Sequence, residues 1–179
     1  PAPDGGLRGW ADRLALLLTA QGELEYANLA VRSRRVHDVC GEQLRRAREL
    51  SPDLVSILVG ANDLVRARVD LAALAASVED AVRTLRADGV QVLLVTPFLP
   101  WHPGAVVCAG RFAAFRTLLA AVAERTGAIL LDSDLHPDLE LPAHWGEDLV
   151  HLSSAGHRFL AYRAAGLLGV PHAEQLAAL

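Results

Sequence analysis

Apolar residues recur along this chain in two alternating registers: stripes at helical spacing, and short continuous runs bounded by Gly or Pro. Trp10, Leu14, Leu17 and Leu18 make the first stripe, and Gly22 stops it. Residues 24–31, with Tyr26, Leu29 and Val31 among small residues, predict a short strand. Val36, Val39, Cys40, Leu44 and Ala47 return to helical spacing, which Ser51-Pro52 ends. The β-branched-rich run 54–59 is of the kind buried on both faces of a parallel sheet, and it leads straight into Gly60-Ala61-Asn62-Asp63. Asp70 predicts an N-cap for a helix through Leu71, Leu74, Val78, Val82 and Leu85, with Gly89 past its end.

Residues 90–95 predict the next strand, broken by Thr96-Pro97, and 98–110 predict a surface loop. Phe112, Phe115, Leu119 and Val122 then mark a helix ended by Gly127. A fourth strand is expected at 128–131, a polar loop at 132–145 and a last helix at about 154–168, with Gly169-Val170-Pro171 beyond it. Residues 1–6 read as a loop. Strands alternating with helices predict a single α/β domain over residues 1–179, built on a parallel sheet. In such sheets ligands sit beyond the carboxyl ends of the strands. Asn28-Leu29-Ala30, the turn 60–63 and the segment around residue 150 are all expected there.

Composition excludes more than it identifies. Hydrophobic residues at 52% and charged residues at 21% describe a globular chain, and a net charge of −4 offers no basic field for nucleic acid. Arg32, Arg34 and Arg35 read as a solvated loop. No apolar run reaches the length needed to cross a bilayer, so no membrane partner is expected. The two cysteines, Cys40 and Cys108, lack metal-type spacing and read as reduced, in keeping with a cytoplasmic location, although a start at Pro1 says nothing about a signal peptide. Seven histidines show no metal-ligand grouping, so neither a metal nor another cofactor is expected.

The candidate chemistry centres on Glu147 to His157. Asp148 lies three residues before His151, ahead of an Ala-rich helical run. A carboxylate at that spacing can accept the imidazole Nδ1–H and leave Nε2 as a base. An isolated Asp-x-x-His is more often a helix start with a surface histidine. The second constellation tips the balance. Asn62, on a Gly60-bearing turn after a buried strand, can aim its amide into the crevice as an oxyanion donor, with the Ala30 backbone N–H as a second. The plainer reading of Asn62-Asp63 is an Asx turn, and both hold if Asp63 supports the turn while Asn62 faces the substrate. Trp101, His102 and Trp145 are candidates for a substrate wall or for loop packing. His157, inside the last helix, is expected to be structural.

The turn Gly60-x-Asn62-Asp63 and the block Asp148-x-x-His151-Leu152-Ser153-x-x-Gly156-His157 resemble two signature blocks of the SGNH (GDSL-type) hydrolases, and Asn28-Leu29-Ala30 resembles a third. The resemblance implies a flavodoxin-like three-layer sheet of order 2-1-3-4-5 and a Ser-His-Asp esterase acting on small-molecule esters. It makes His151 the base, Asp148 its partner and Asn62 an oxyanion donor. The chain departs from the family in carrying Ala30 where Gly is usual, and in having no Gly-Asp-Ser block. None of its serines follows a strand in a comparable setting. The nucleophile segment, and with it the first, central strand of the sheet, is therefore expected upstream of Pro1. The alternatives are a small-molecule or carbohydrate binding module that has lost its nucleophile, and a nucleotide binder, which the absence of a Gly-rich phosphate loop disfavours.

Overall fold

The computed structural model describes residues 8–133 and 141–173. The readings of 1–6 as a loop, and of the middle of 132–145, lie outside the described residues. The chain groups into two compact units, one of Pro1–Asn28, Pro100–His102 and His136–Leu179, the other of Leu29–Leu99 and Pro103–Leu135.

The second unit holds the sheet. Strands β1 (Leu54–Leu58), β2 (Gln91–Val95) and β3 (Ile129–Leu131) are parallel and adjacent in sequence order. Register pairs Ser56 with Leu93 and Leu58 with Val95, then Leu93 with Ile129 and Val95 with Leu131. Alternation along the strands sends Ile57, Val59, Val92 and Leu94 into one core with helices α5 (Leu71–Ala87) and α6 (Ala109–Thr126), where Val78, Val82, Leu85, Phe115, Leu119 and Val122 are fully buried. The other face is covered as well, since Leu93, Val95 and Leu131 are also fully buried. Burial on both faces explains why these strands read as unbroken apolar runs.

Three expectations are corrected. Residues 24–31 form no strand: no described strand pairs with them, and Leu24, Tyr26 and Val31 are 39%, 47% and 55% exposed. Their β propensity goes unused because a strand is stable only with a ladder partner and a face to bury. Of the expected order 2-1-3-4-5, the sheet among the described residues shows the 3-4-5 part, as β1-β2-β3. Second, the helix expected at 36–50 is broken into α2 (Val36–Asp38), a π turn (Val39–Gln43) and α3 (Leu44–Glu49). The wider turn carries Gln43, whose Nε2 donates to the Leu29 carbonyl at 2.8 Å. Third, Pro103–Thr126, a 3₁₀ turn (Pro103–Cys108) running into α6, is by length and composition apolar enough to cross a membrane. Its largest side chains, Phe112, Phe115 and Leu119, are instead buried in the core.

The first unit packs α1 (Trp10–Thr19) against α7 (Ser154–Leu167). Leu14 and Ala15 face inward from α1, and Phe159, Leu160, Ala161 and Ala164 from α7. Asp12 caps α1 by accepting the Gly9 N–H at 2.8 Å, and the same carboxylate takes the Tyr26 hydroxyl at 2.7 Å and the Asn28 amide at 3.2 Å. These side-chain bonds tie down a segment that has no ladder.

Candidate active site

The loop before α7 closes on itself before it presents any chemistry. Trp145 and Leu152 form an antiparallel bridge. Gly146 N–H donates to the His151 carbonyl at 2.8 Å, and Ser153 N–H to the His144 carbonyl at 2.9 Å. Ser153 also starts α7, its Oγ accepting the Gly156 N–H at 3.2 Å while its hydroxyl donates to the Ala143 carbonyl at 2.7 Å. Gly156 is required for a different reason: a Cβ there would lie 2.2 Å from the His144 carbonyl oxygen, so only glycine lets the helix approach this closely. The Ser153-x-x-Gly156 spacing thus builds a platform of backbone bonds.

Asp148 and His151 stand on that platform. His151 Nδ1 and Asp148 Oδ2 are 2.6 Å apart. The other oxygen, Oδ1, accepts the backbone N–H groups of Val150 at 2.9 Å and His151 at 3.0 Å. The His151 side chain, followed by these two backbone donors, holds the Asp148 carboxyl well below the usual carboxylate range. An ionised Asp148 can only accept, so His151 Nδ1 donates and Nε2 carries the lone pair of a base. Nε2 makes no hydrogen bond among the described residues, and the ring is 69% exposed.

His157 lies on α7, its N–H bonded to the Ser153 carbonyl at 2.9 Å. Its Nδ1 is buried without a hydrogen-bond partner. Burial, reinforced by the charges of Arg13 and His151 and opposed by Asp12, pushes its pKa down. The unfolded chain therefore takes up this proton at a higher pH than the folded one, and stability falls as pH drops below about 6.5, the free histidine value. Melting curves at pH 7 and pH 5 should show part of the acid loss vanishing in His157→Phe; an unchanged loss would mean that other groups carry it.

In the sheet unit, β1 leads through Val59 to Gly60, whose φ of +111° belongs to glycine and which starts the short helix α4 (Ala61–Leu64). Asp63, 7% exposed, accepts the Val36 N–H at 3.0 Å through Oδ2 and so caps α2. Its neighbour Asn62 is exposed and donates through Nδ2 to the Arg34 carbonyl at 2.9 Å. Two adjacent side chains thus pin the turn 34–36, and the pin orients the Asn62 amide, whose second N–H points elsewhere. Ala30 is exposed and follows Leu29, whose carbonyl Gln43 holds. The amide is anchored on the turn after Ala30, a turn in which Ser33 adopts φ of +63°.

Trp145, a candidate substrate wall, is only 6% exposed and packs in the loop, whereas Trp101 is 43% exposed. Burial pushes the Cys40 thiol up to about 11, so Cys40 is not an activated nucleophile. Among the described residues no group of three or more His, Cys, Asp or Glu side chains is placed to hold a metal ion. Ser153 as a helix cap was legible in the pattern Ser-x-x-Gly before an apolar run, but the pairing of Asp63 with Val36 had no local signal.

The α/β fold with its parallel sheet, the Asp-His pair ahead of the terminal helix and the Gly-x-Asn-Asp turn after a buried strand belong to a carboxylic ester hydrolase of the SGNH type, as its family and relatives show. The chain belongs to the GDSL-like lipase/acylhydrolase family, whose model matches residues 2–159. It is 31% identical over 179 residues to a GDSL lipase of Mycobacterium tuberculosis, covering 93% of this chain and 76% of that protein. Among solved structures, a variant of an acetyl-xylooligosaccharide esterase from Geobacillus stearothermophilus superposes with a TM-score of 0.79 at 22% identity, covering 94% of this chain and 87% of that one. An α/β hydrolase from the metagenome of Lake Arreo gives 0.77 at 22% identity, covering 90% and 82%. At that identity the two structures speak to the fold.

Proposed function

We propose that the protein hydrolyses small-molecule esters by a Ser-His-Asp mechanism. The observation that carries it is the 2.6 Å contact between Asp148 and His151 Nδ1, with Nε2 left open. In this reading Nε2 takes the proton of a serine hydroxyl as its oxygen attacks the ester carbonyl. Asn62 and the Ala30 N–H stabilise the oxyanion of the tetrahedral intermediate. The imidazolium, steadied by Asp148, then protonates the departing alcohol. Water repeats the sequence on the acyl-enzyme, returning the acid and the free serine. None of the serines in this chain is assigned the nucleophile's part.

The acetyl ester specificity in the name of the Geobacillus protein supports short acyl esters as the first substrates to assay. With whatever coding sequence precedes Pro1 retained, the protein should turn over p-nitrophenyl acetate, and Asn62→Ala should lower kcat by about 100- to 1000-fold. Wild-type turnover in that variant would remove Asn62 from the oxyanion site.

A further inference from the structure

We propose that Arg13 is a positioning residue for His151, fastening the loop that carries this ring to helix α1; this rests on the reading of His151 as the base. The observation behind it is a side-chain bond between two helices of the same unit. Arg13 Nη2 donates to Ser154 Oγ at 2.8 Å, across 141 positions of sequence. Ser154 is the first residue of α7 and stands three positions after His151. Among the described residues no other side-chain hydrogen bond joins α1 to α7.

The loop needs such an anchor. Its bonds from Gly146 to His151, and from Ser153 to His144 and Ala143, all close within residues 143–153. They fix Asp148 against His151, yet leave the pair to move as one body with the first turn of α7. Gly156 presses that turn onto the His144 carbonyl, so loop and turn travel together. The turn is held to the rest of its unit by the packing of α1 on α7, where Leu14 and Ala15 are buried next to Arg13 in the chain. Apolar packing is non-directional and lets one helix slide along another. A directional bond of 2.8 Å sets where along α1 the turn comes to rest.

Arg13 is also aimed from its own side. Its Nε donates to the Arg8 carbonyl at 3.4 Å, while the carboxylate of the preceding Asp12 is taken up by Gly9, Tyr26 and Asn28. Successive residues of a helix diverge by about 100°, so Asp12 serves the segment 26–28 and Arg13 serves α7. The guanidinium and the His151 ring both act by their charge on the half-buried imidazole of His157, which gathers the three groups around the start of α7. A general base works only within hydrogen-bond reach of the proton it takes, and a displacement of about 1 Å costs about a hundredfold in rate. Losing the Arg13 bond should therefore be felt in kcat and not in substrate binding.

The test is a double-mutant cycle on p-nitrophenyl acetate, with whatever coding sequence precedes Pro1 retained. Arg13→Met keeps the apolar stem and loses the donors; Ser154→Ala removes the acceptor. Each should lower kcat about tenfold with KM within about twofold, and the double variant should fall no further than either single one. Arg13→Lys, which can still donate to Ser154, should stay within about threefold of wild type, and all melting temperatures within about 3 °C. Losses that multiply in the double variant, no loss in either single variant, or losses that follow a lowered melting temperature overturn the proposal. A second readout needs no turnover. In ¹⁵N-labelled Arg13→Met the amides of 148–151 should shift while those of α5 stay in place. Unmoved loop amides overturn the anchor. Moved amides in a protein that hydrolyses no ester leave the anchor standing and overturn the reading of His151 as the base.

Discussion

His151→Ala is expected to abolish ester hydrolysis, a loss on the order of a million-fold in kcat, while leaving the melting temperature within about 2 °C. The two expectations have separate causes. The base disappears with the ring, so the attacking hydroxyl has nowhere to send its proton. The side chain is 69% exposed and its one side-chain hydrogen bond among the described residues is to the Asp148 carboxylate, so little packing is lost. Asp148→Asn is the sharper companion. Its Oδ1 still accepts the Val150 and His151 N–H groups, preserving the loop, but an amide nitrogen facing Nδ1 favours the wrong imidazole tautomer. A fall of about ten-thousand-fold with an unchanged circular dichroism spectrum is expected. Stability lost with activity retained, in either variant, would make the pair structural.

Gly60→Ala should have the largest effect on stability. A methyl group there would lie 2.5 Å from Phe115 Cε1, and the φ of +111° is a conformation that an L side chain rarely adopts. Phe115 is fully buried and cannot yield without disturbing α6. Strain and overpacking each cost about 1–3 kcal/mol, a sum comparable with much of the typical stability of a domain. Urea unfolding should show the midpoint falling sharply at unchanged slope. A midpoint within error of wild type would mean that the ring or the turn relaxes, and that Gly60 is not essential to the position of Asn62.

Much of both sites was legible in the sequence because their chemistry is local. Asp148 and His151 are within one turn of each other, so any compact loop over 148–151 brings carboxylate and imidazole together. The strands at β1, β2 and β3 were evident from short apolar runs, β-branched-rich at 54–59, and α5 from Asp70, whose side chain accepts the Ala73 N–H at 3.0 Å as its cap. The stretch 24–31 carried the same kind of local signal and misled, because no strand among the described residues pairs with it and most of it stays exposed.

The sequence by itself determined the three strands of the sheet, the helices α5, α6 and α7, the Asp-His pair and the Gly60 turn, since each depends on residues within a few positions of one another. Tertiary structure decided the rest. Asp63 is buried because it caps a helix that begins 27 residues earlier, at Val36, and Asn62 is aimed by the carbonyl of Arg34, 28 residues away. Trp145 turns inward to bridge Leu152, and Gly156 is irreplaceable because the His144 carbonyl lies where a Cβ would be. Periodicity and propensity report what a residue prefers among its chain neighbours. Which distant donor meets which acceptor is settled only when packing excludes water and every buried polar group must find a partner.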